Sequence, residues 1–184
     1  LALKRHELEH IIRAATLITN EYEIVVIGSQ SILGAFPNAA EELLMSMEAD
    51  VYPRGAEEKA DLIDGAIGEG SQFHETHGFY AQGVDASTAT LPTGWEKRLI
   101  RIQNGNTDHR TGFCLDPIDL FMAKSAAARE KDRLFNTALL IHGYVKVEDA
   151  LRRVPDMPVG TAKQKQIEAF IHRMDAAARL RRRE

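Results

Sequence analysis

Six residues, EIVVIG from Glu23 to Gly28, limit the fold more than any other stretch. Their β-branched side chains stand together without polar interruption, in a run too short for a helix, so they read as a buried strand that needs a sheet around it. Gly28-Ser29 ends that strand, and SQSILGAF suits a short helix opening directly behind it. Upstream, Leu8, Ile11, Ile12, Ala15 and Ile18 recur at helical spacing and predict a helix over residues 3–19 with one core-facing stripe. Downstream, EADVYP predicts a second strand. Residues 57–67 predict a further helix with Leu62, Ile63, Ala66 and Ile67 as its apolar side.

The stretch 68–94 is richer in Gly, Ser and Thr and holds one strand candidate, GFYAQGV. EKRLIRIQ, residues 96–103, predicts a half-buried strand, and NGNTDHRTG a polar loop. Then the pattern changes. Asp116 as N-cap, Pro117 in the first helical position and Asp119 three residues after the cap mark a helix start. KDRLFNTALLIHG continues as helix to Gly143, and helices near 147–153 and 162–181 complete the chain. In the last helix, Ala162, Ile167, Phe170, Ile171 and Met174 form an apolar face, which is core or, if exposed, an assembly surface.

Length and charge narrow the function classes. The 184 residues, 44% hydrophobic, suffice for one well-buried domain with a helical appendage. A net charge of −4 argues against a protein that coats nucleic acid, although a local basic patch remains open. Cys114, the single cysteine, excludes an intrachain disulfide and a thiolate zinc cluster, and reads as a small buried residue. No segment approaches the ~18 consecutive apolar residues of a membrane span, so a soluble, cytoplasmic protein is expected. The closing RLRRRE reads as a solvated helix end.

Within SMEADVYP, strand alternation points Glu48 and Asp50 to one face and Met47, Ala49 and Val51 to the other. Like charges that close repel unless a cation or ligand compensates. The alternative is an edge strand whose charges discourage pairing.

Gly28-Ser29 behind a hydrophobic strand, followed by a helix and then Ser46-x-Glu48-x-Asp50 on the next strand, resembles the minimal nucleotidyltransferase pattern of the polymerase-beta superfamily. DLFMAKSAAAREKD, Asp119 to Asp132, is similar to the Lys-containing helix and Arg-x-x-Asp turn of the AbiEii-like and uncharacterised bacterial members. The resemblance spans roughly residues 20–145. It implies an α/β (α+β) fold, a small mixed sheet flanked by helices with a helical C-terminal part. The domain would cover 1–145 and the helical extension 146–184.

By the same resemblance the activity is magnesium-dependent transfer of a nucleoside monophosphate from a nucleoside triphosphate to a hydroxyl of an RNA such as tRNA, a protein or a small molecule. Several such proteins are toxins of toxin–antitoxin pairs, which would add an antitoxin as partner. The alternative is an inactive relative that binds a nucleotide or a protein.

Each implied residue has its physical case. Glu48 and Asp50 supply oxygen ligands for Mg2+, although the superfamily usually has Asp at the first position and Glu48 carries an extra methylene. Gly28 lets backbone approach a phosphate, and Ser29 adds a hydroxyl; a plain turn and cap is the alternative. Lys124, in a largely apolar helix, reaches triphosphate charge or snorkels. Arg129 and Lys131 extend the positive rim, with solvated helix-face charges as the alternative. A third carboxylate is best matched by Asp132, with Asp85 poorer; a helix-start or ion-pair role is the alternative for Asp132. His74 and His77 in FHETH lack the helix and acid motif of a zinc site. Gly-rich DGAIGEGS follows no strand and reads as a loop. Trp95 reads as a packed residue, with base stacking as its alternative.

Overall fold

The structure, a computed structural model, describes residues 2–183. It comprises two compact units, one of Leu1–Thr88 with Leu99–Asp116 and one of Ala89–Arg98 with Pro117–Glu184. The first is a sheet unit. Its strands are β1 (Glu23–Val26), β2 (Glu48–Pro53), β3 (Tyr80–Gly83), β4 (Ile100–Ile102) and β5 (Thr111–Cys114), in the order β3-β2-β1-β5-β4. Its helices are α1 (Arg5–Thr19), α2 (Ile32–Ala35), α3 (Ala60–Ile67) and α4 (Gln72–His77).

β1 is the middle strand, antiparallel to β2 and parallel to β5, with Ile24, Val25 and Val26 buried. That position is what an unalternated β-branched run requires. Registers assign the faces. Ile24 pairs with Pro53 and Gly112, Val26 with Val51 and Cys114, and Ala49 with Ala81, so these residues share one side. Helices α1, α2 and α3 pack there: a β-carbon on Gly112 would lie 2.3 Å from Ile12 Cδ1, one on Gly34 2.4 Å from Cys114 Cβ, and one on Gly83 2.1 Å from the Ala60 carbonyl. The other side carries Val25, Tyr52 and Phe113, and toward β3 the polar group Glu48, Asp50, Tyr80 and Gln82.

Local chemistry explains the elements. Helix α1 buries Leu8, Ile11, Ile12 and Ala15 as its spacing predicts, and Glu9, also buried, accepts from Arg5 Nε at 2.9 Å and from Asn104 and Asn106 Nδ2 at 2.8 Å each. Those bonds fix the turn between β4 and β5, which Asn104 caps with its own side chain. In α3, Ile63 and Ile67 are buried, whereas Leu62 and Ala66 face solvent.

The expected 96–103 strand is shorter: Trp95–Arg98 is a 3-10 turn and only Ile100–Ile102 is extended. Two elements depart from the sequence reading further. Residues 72–77, read as part of a Gly-rich loop, form α4, capped by the Ser71 hydroxyl accepting from His74 N–H at 3.2 Å. Thr111-Gly112, read as the end of the polar loop, instead open β5.

The second unit holds α5 (Pro117–Ala127), α6 (Glu130–Ile141), α7 (Val147–Arg153) and α8 (Thr161–Arg181). α5 starts at Pro117 as expected. It ends sooner than the sequence suggests, because Ala128 takes a left-handed φ of 52° before α6. Buried Asn136 ties the two helices, donating to the Phe121 carbonyl at 2.9 Å and Ser125 Oγ at 3.0 Å. Asp119, fully buried, accepts from Arg98 Nε at 2.8 Å and Arg153 Nη1 at 2.6 Å. Ile167, Phe170, Ile171 and Met174 of α8 are buried and Ala162 is exposed, so that face is core and the assembly-surface alternative lapses. No described helix is long and apolar enough to cross a membrane.

Gly112→Ala must push the buried Ile12 aside and is expected to lower stability by about 1–3 kcal/mol in urea unfolding. Gly105→Ala, where nothing lies within 4 Å, is the control and should change it little.

Candidate active site

Gly28 follows β1 directly, and the Ile27 N–H donates to the Asp50 carbonyl at 2.9 Å, so the β1–β2 ladder reaches the glycine. A 3-10 turn over Ser29–Ser31 then bends the chain. Ser31 closes it, donating to the Gly28 carbonyl from its N–H at 3.0 Å and from Oγ at 2.5 Å. Buried Gln30 pins the turn to the start of β2, its Nε2 donating to the Ser46 carbonyl at 2.9 Å.

The Asp50 side chain occupies the space a β-carbon on Gly28 would need. That carbon would fall 2.1 Å from Oδ2, 2.9 Å from Cγ and 3.1 Å from Cβ. Glycine is therefore required here for a close approach, since Gly28 has an ordinary extended backbone with φ −87°. Ser29, half-buried, is the next residue.

Glu48 lies two residues before Asp50 on the same face; both are half-buried, while Ala49 and Val51 between and beyond them are fully buried. The Tyr80 hydroxyl donates to Glu48 Oε2 at 2.9 Å. Partial burial first, then that hydrogen bond and the charges of Glu48, Glu69 and Asp50, push the Tyr80 phenol up to about 12. Negative potential therefore gathers at this end of β2 and β3. Paired carboxylates with hard oxygen donors are the ligand chemistry of a magnesium ion, which takes one or two carboxylates and completes its shell with phosphate oxygens and water. Among the described residues, no group of three or more His, Cys, Asp or Glu could hold a metal ion.

The remaining candidates of the sheet unit serve other ends. Asp85, exposed, accepts from the Ser87 N–H at 2.8 Å and from the Ser87 hydroxyl, shaping its own loop. His77 joins a ring cluster with His10, Phe73 and Phe79, its centroid 4.7 Å from both His10 and Phe73. His74 sits against Tyr80, centroids 4.6 Å apart. Cys114 is fully buried, and burial pushes its thiol up to about 12.

In the helical unit, Lys124 Nζ lies 3.3 Å from Asp132 Oδ1 and 4.5 Å from the centre of the Phe135 ring. Burial lowers the Lys124 pKa, and the Asp132 charge opposes it. Arg129 donates to Asp132 from Nε at 2.6 Å, Nη2 at 3.2 Å and its backbone N–H at 3.2 Å. Asp132 is fully buried, and its carboxylate has the helix-start and ion-pair duties that the sequence also allowed. Burial raises its pKa, but Arg129 and Lys124 outweigh that and hold the carboxyl below 3.8. Trp95 is half-buried at the head of its 3-10 turn.

Sequence reasoning missed Tyr80 and Gln30. The strand GFYAQGV was visible, but which of its residues faces Glu48 depends on the β2–β3 register, and only the Glu48↔Tyr80 pairing reveals it.

A family model described as nucleotidyltransferase of unknown function (DUF6036) matches residues 6–156. No curated protein and no solved structure matches the chain.

Two outcomes are expected. Gly28→Ala should displace the Asp50 carboxylate and cut any Asp50-dependent turnover about 100-fold with little loss of fold, measured by initial rates beside circular dichroism. Asp132→Asn should cost about 3 kcal/mol in urea unfolding at pH 7 by leaving Lys124 without its buried partner. Because the folded carboxyl titrates below its ordinary value, that contribution is complete above pH 3.8 and fades as pH falls through the lowered pKa. The gap between wild type and Asp132→Asn should close over the same range.

Proposed function

The chain belongs to this family of nucleotidyltransferases of unknown function, and from that premise we propose that it transfers a nucleoside monophosphate from a nucleoside triphosphate to a hydroxyl of an RNA, with magnesium held by Glu48 and Asp50. The observation that carries the proposal is the Asp50 carboxylate lying against the β-carbon-free face of Gly28, with Glu48 beside it on one strand face.

In the reaction, an acceptor hydroxyl loses its proton to solvent as its oxygen forms a bond to the α-phosphorus, the bond from that phosphorus to the bridging oxygen breaks, and pyrophosphate leaves. Magnesium, when bound, neutralises charge on the phosphates and aligns their oxygens. The residues do the rest. Gly28 admits the Asp50 carboxylate close to the backbone, and the Ser29 hydroxyl beside it donates to a phosphate oxygen. Within the helical unit, Asp132 holds Lys124 and Arg129 in one orientation, and that pair is proposed as phosphate-binding cations.

RNA is favoured among acceptors by the division of charge. The sheet unit carries 7 Lys plus Arg against 17 Asp plus Glu, and the helical unit 16 against 10. A whole-chain charge of −4 conceals that contrast. A basic unit attracts a phosphate backbone over distances of a Debye length. Lys165, Arg173, Arg181 and Arg183 of the last helix region are exposed.

Purified protein with each labelled nucleoside triphosphate, Mg2+ and total cell RNA is expected to label RNA, and Asp50→Ala to abolish the transfer. Labelling should weaken steeply between low and physiological salt, as phosphate contacts do. Label on protein or a small molecule instead would overturn the acceptor. Nucleotide binding without any transfer would identify an inactive binding relative.

A further inference from the structure

Glu48 is the residue at which the sequence departs from the usual carboxylate pair, and the structure gives that departure a partner. Tyr80 stands directly across from Glu48 in the parallel β2–β3 pairing and donates its hydroxyl to Oε2 at 2.9 Å. Among the described residues, no donor reaches Glu48 Oε1. On its other side the phenol ring rests against His74, 4.6 Å between centroids, at the turn of α4 that Ser71 caps. Strand register, ring contact and hydroxyl together fix the height at which Oε2 is held. A glutamate has one more rotatable bond than an aspartate, and a tether of this kind removes the freedom that bond adds.

We propose that Tyr80 is a positioning residue that occupies one oxygen of Glu48, leaving Oε1 as its single metal-facing oxygen, and thereby sets the site to prefer magnesium over calcium. The inference rests on the reading of Glu48 and Asp50 as metal carboxylates. Its chemistry is that of the two cations. Magnesium demands six oxygens in near-ideal octahedral geometry and takes single oxygens from carboxylates. Calcium accepts six to eight and readily takes both oxygens of one carboxylate. A glutamate oxygen that already accepts from a phenol keeps a lone pair but gives it up less readily, so single-oxygen coordination through Oε1 is favoured, which suits the first ion better than the second.

The test is competition calorimetry of Mg2+ and Ca2+ on the full chain, comparing wild type with Tyr80→Phe, Asp50→Ala and Glu48→Asp. Phenylalanine keeps the ring and its His74 contact, and circular dichroism monitors the fold. Tyr80→Phe is expected to shift the calcium-to-magnesium affinity ratio toward calcium about fivefold, the worth of one ordinary hydrogen bond. A loss of fold would weaken both ions together and leave the ratio alone. In the Glu48→Asp background, where the shorter side chain no longer reaches the phenol, Tyr80→Phe should leave the ratio unchanged, which reports the coupling directly.

An unaltered ratio in Tyr80→Phe, with metal binding that still depends on Asp50, overturns the proposal and leaves the strand-pair reading standing. Equal shifts in the wild-type and Glu48→Asp backgrounds overturn it as well. Absence of Asp50-dependent binding in the wild type overturns the strand-pair reading, and this inference with it.

Discussion

There is no room for a β-carbon at position 28, and the arrangement of the sheet unit around its carboxylates depends on that missing atom. The Asp50 side chain fills its space, which draws the end of β1 and the middle of β2 together on the polar side of the sheet. Glu48 inherits its position from Asp50 through strand alternation, and Tyr80 inherits its own from Glu48 through register. One missing methyl group thus fixes a carboxylate, its neighbour and the neighbour's hydrogen-bond donor. The opposite side of the sheet works by the same means, since Gly112, Gly34 and Gly83 each give up a side chain where a helix comes close.

Electrostatics separates the two units. Most acidic side chains of the sheet unit lie in water, where like charges are well screened. At Glu48, Asp50 and Tyr80 partial burial strengthens every interaction, and the raised phenol reports it. The helical unit handles buried charge differently. Asp119 and Asp132 are both fully buried, and each is matched by cations, two arginines for the first and an arginine with a lysine for the second. A buried carboxylate that lost one of those partners would face a desolvation cost larger than the attraction it had enjoyed.

How much of this was legible in the sequence varies with the range of the cause. The fold class was, because β1, α1 and the helix start at Pro117 are written in local pattern, and the shared face of Glu48 and Asp50 follows from alternation alone. The β5 strand was not. Thr111-Gly112-Phe113-Cys114 has weak strand character of its own and becomes extended by pairing with β1, while Gly112 is there because Ile12 needs the space. Helix α4 was hidden by its glycine-rich flanks and by a ring cluster that brings residues of α1 and α4 together. The break at Ala128 has no local signal at all, since alanine is the best helix former and still takes φ 52° there. Asp132 stands out in the sequence, but nothing local says that Arg129 and Lys124 both engage its carboxylate.

The pairing of β1 with β5 also bears on how the chain reaches its native state. Residue 23 pairs with residue 111 and residue 26 with residue 114, whereas the other edge of β1 is closed by residues 51–53. Local contacts can assemble β1, β2 and β3 early, but the parallel ladder must wait for a loop to close across most of the sheet unit. Until then the most apolar strand of the protein presents a bare row of backbone donors and acceptors on one side. A chain interrupted during synthesis before residue 111 therefore ends with a sticky, unfinished sheet, and the short strand TGFC is what covers that bare edge of β1.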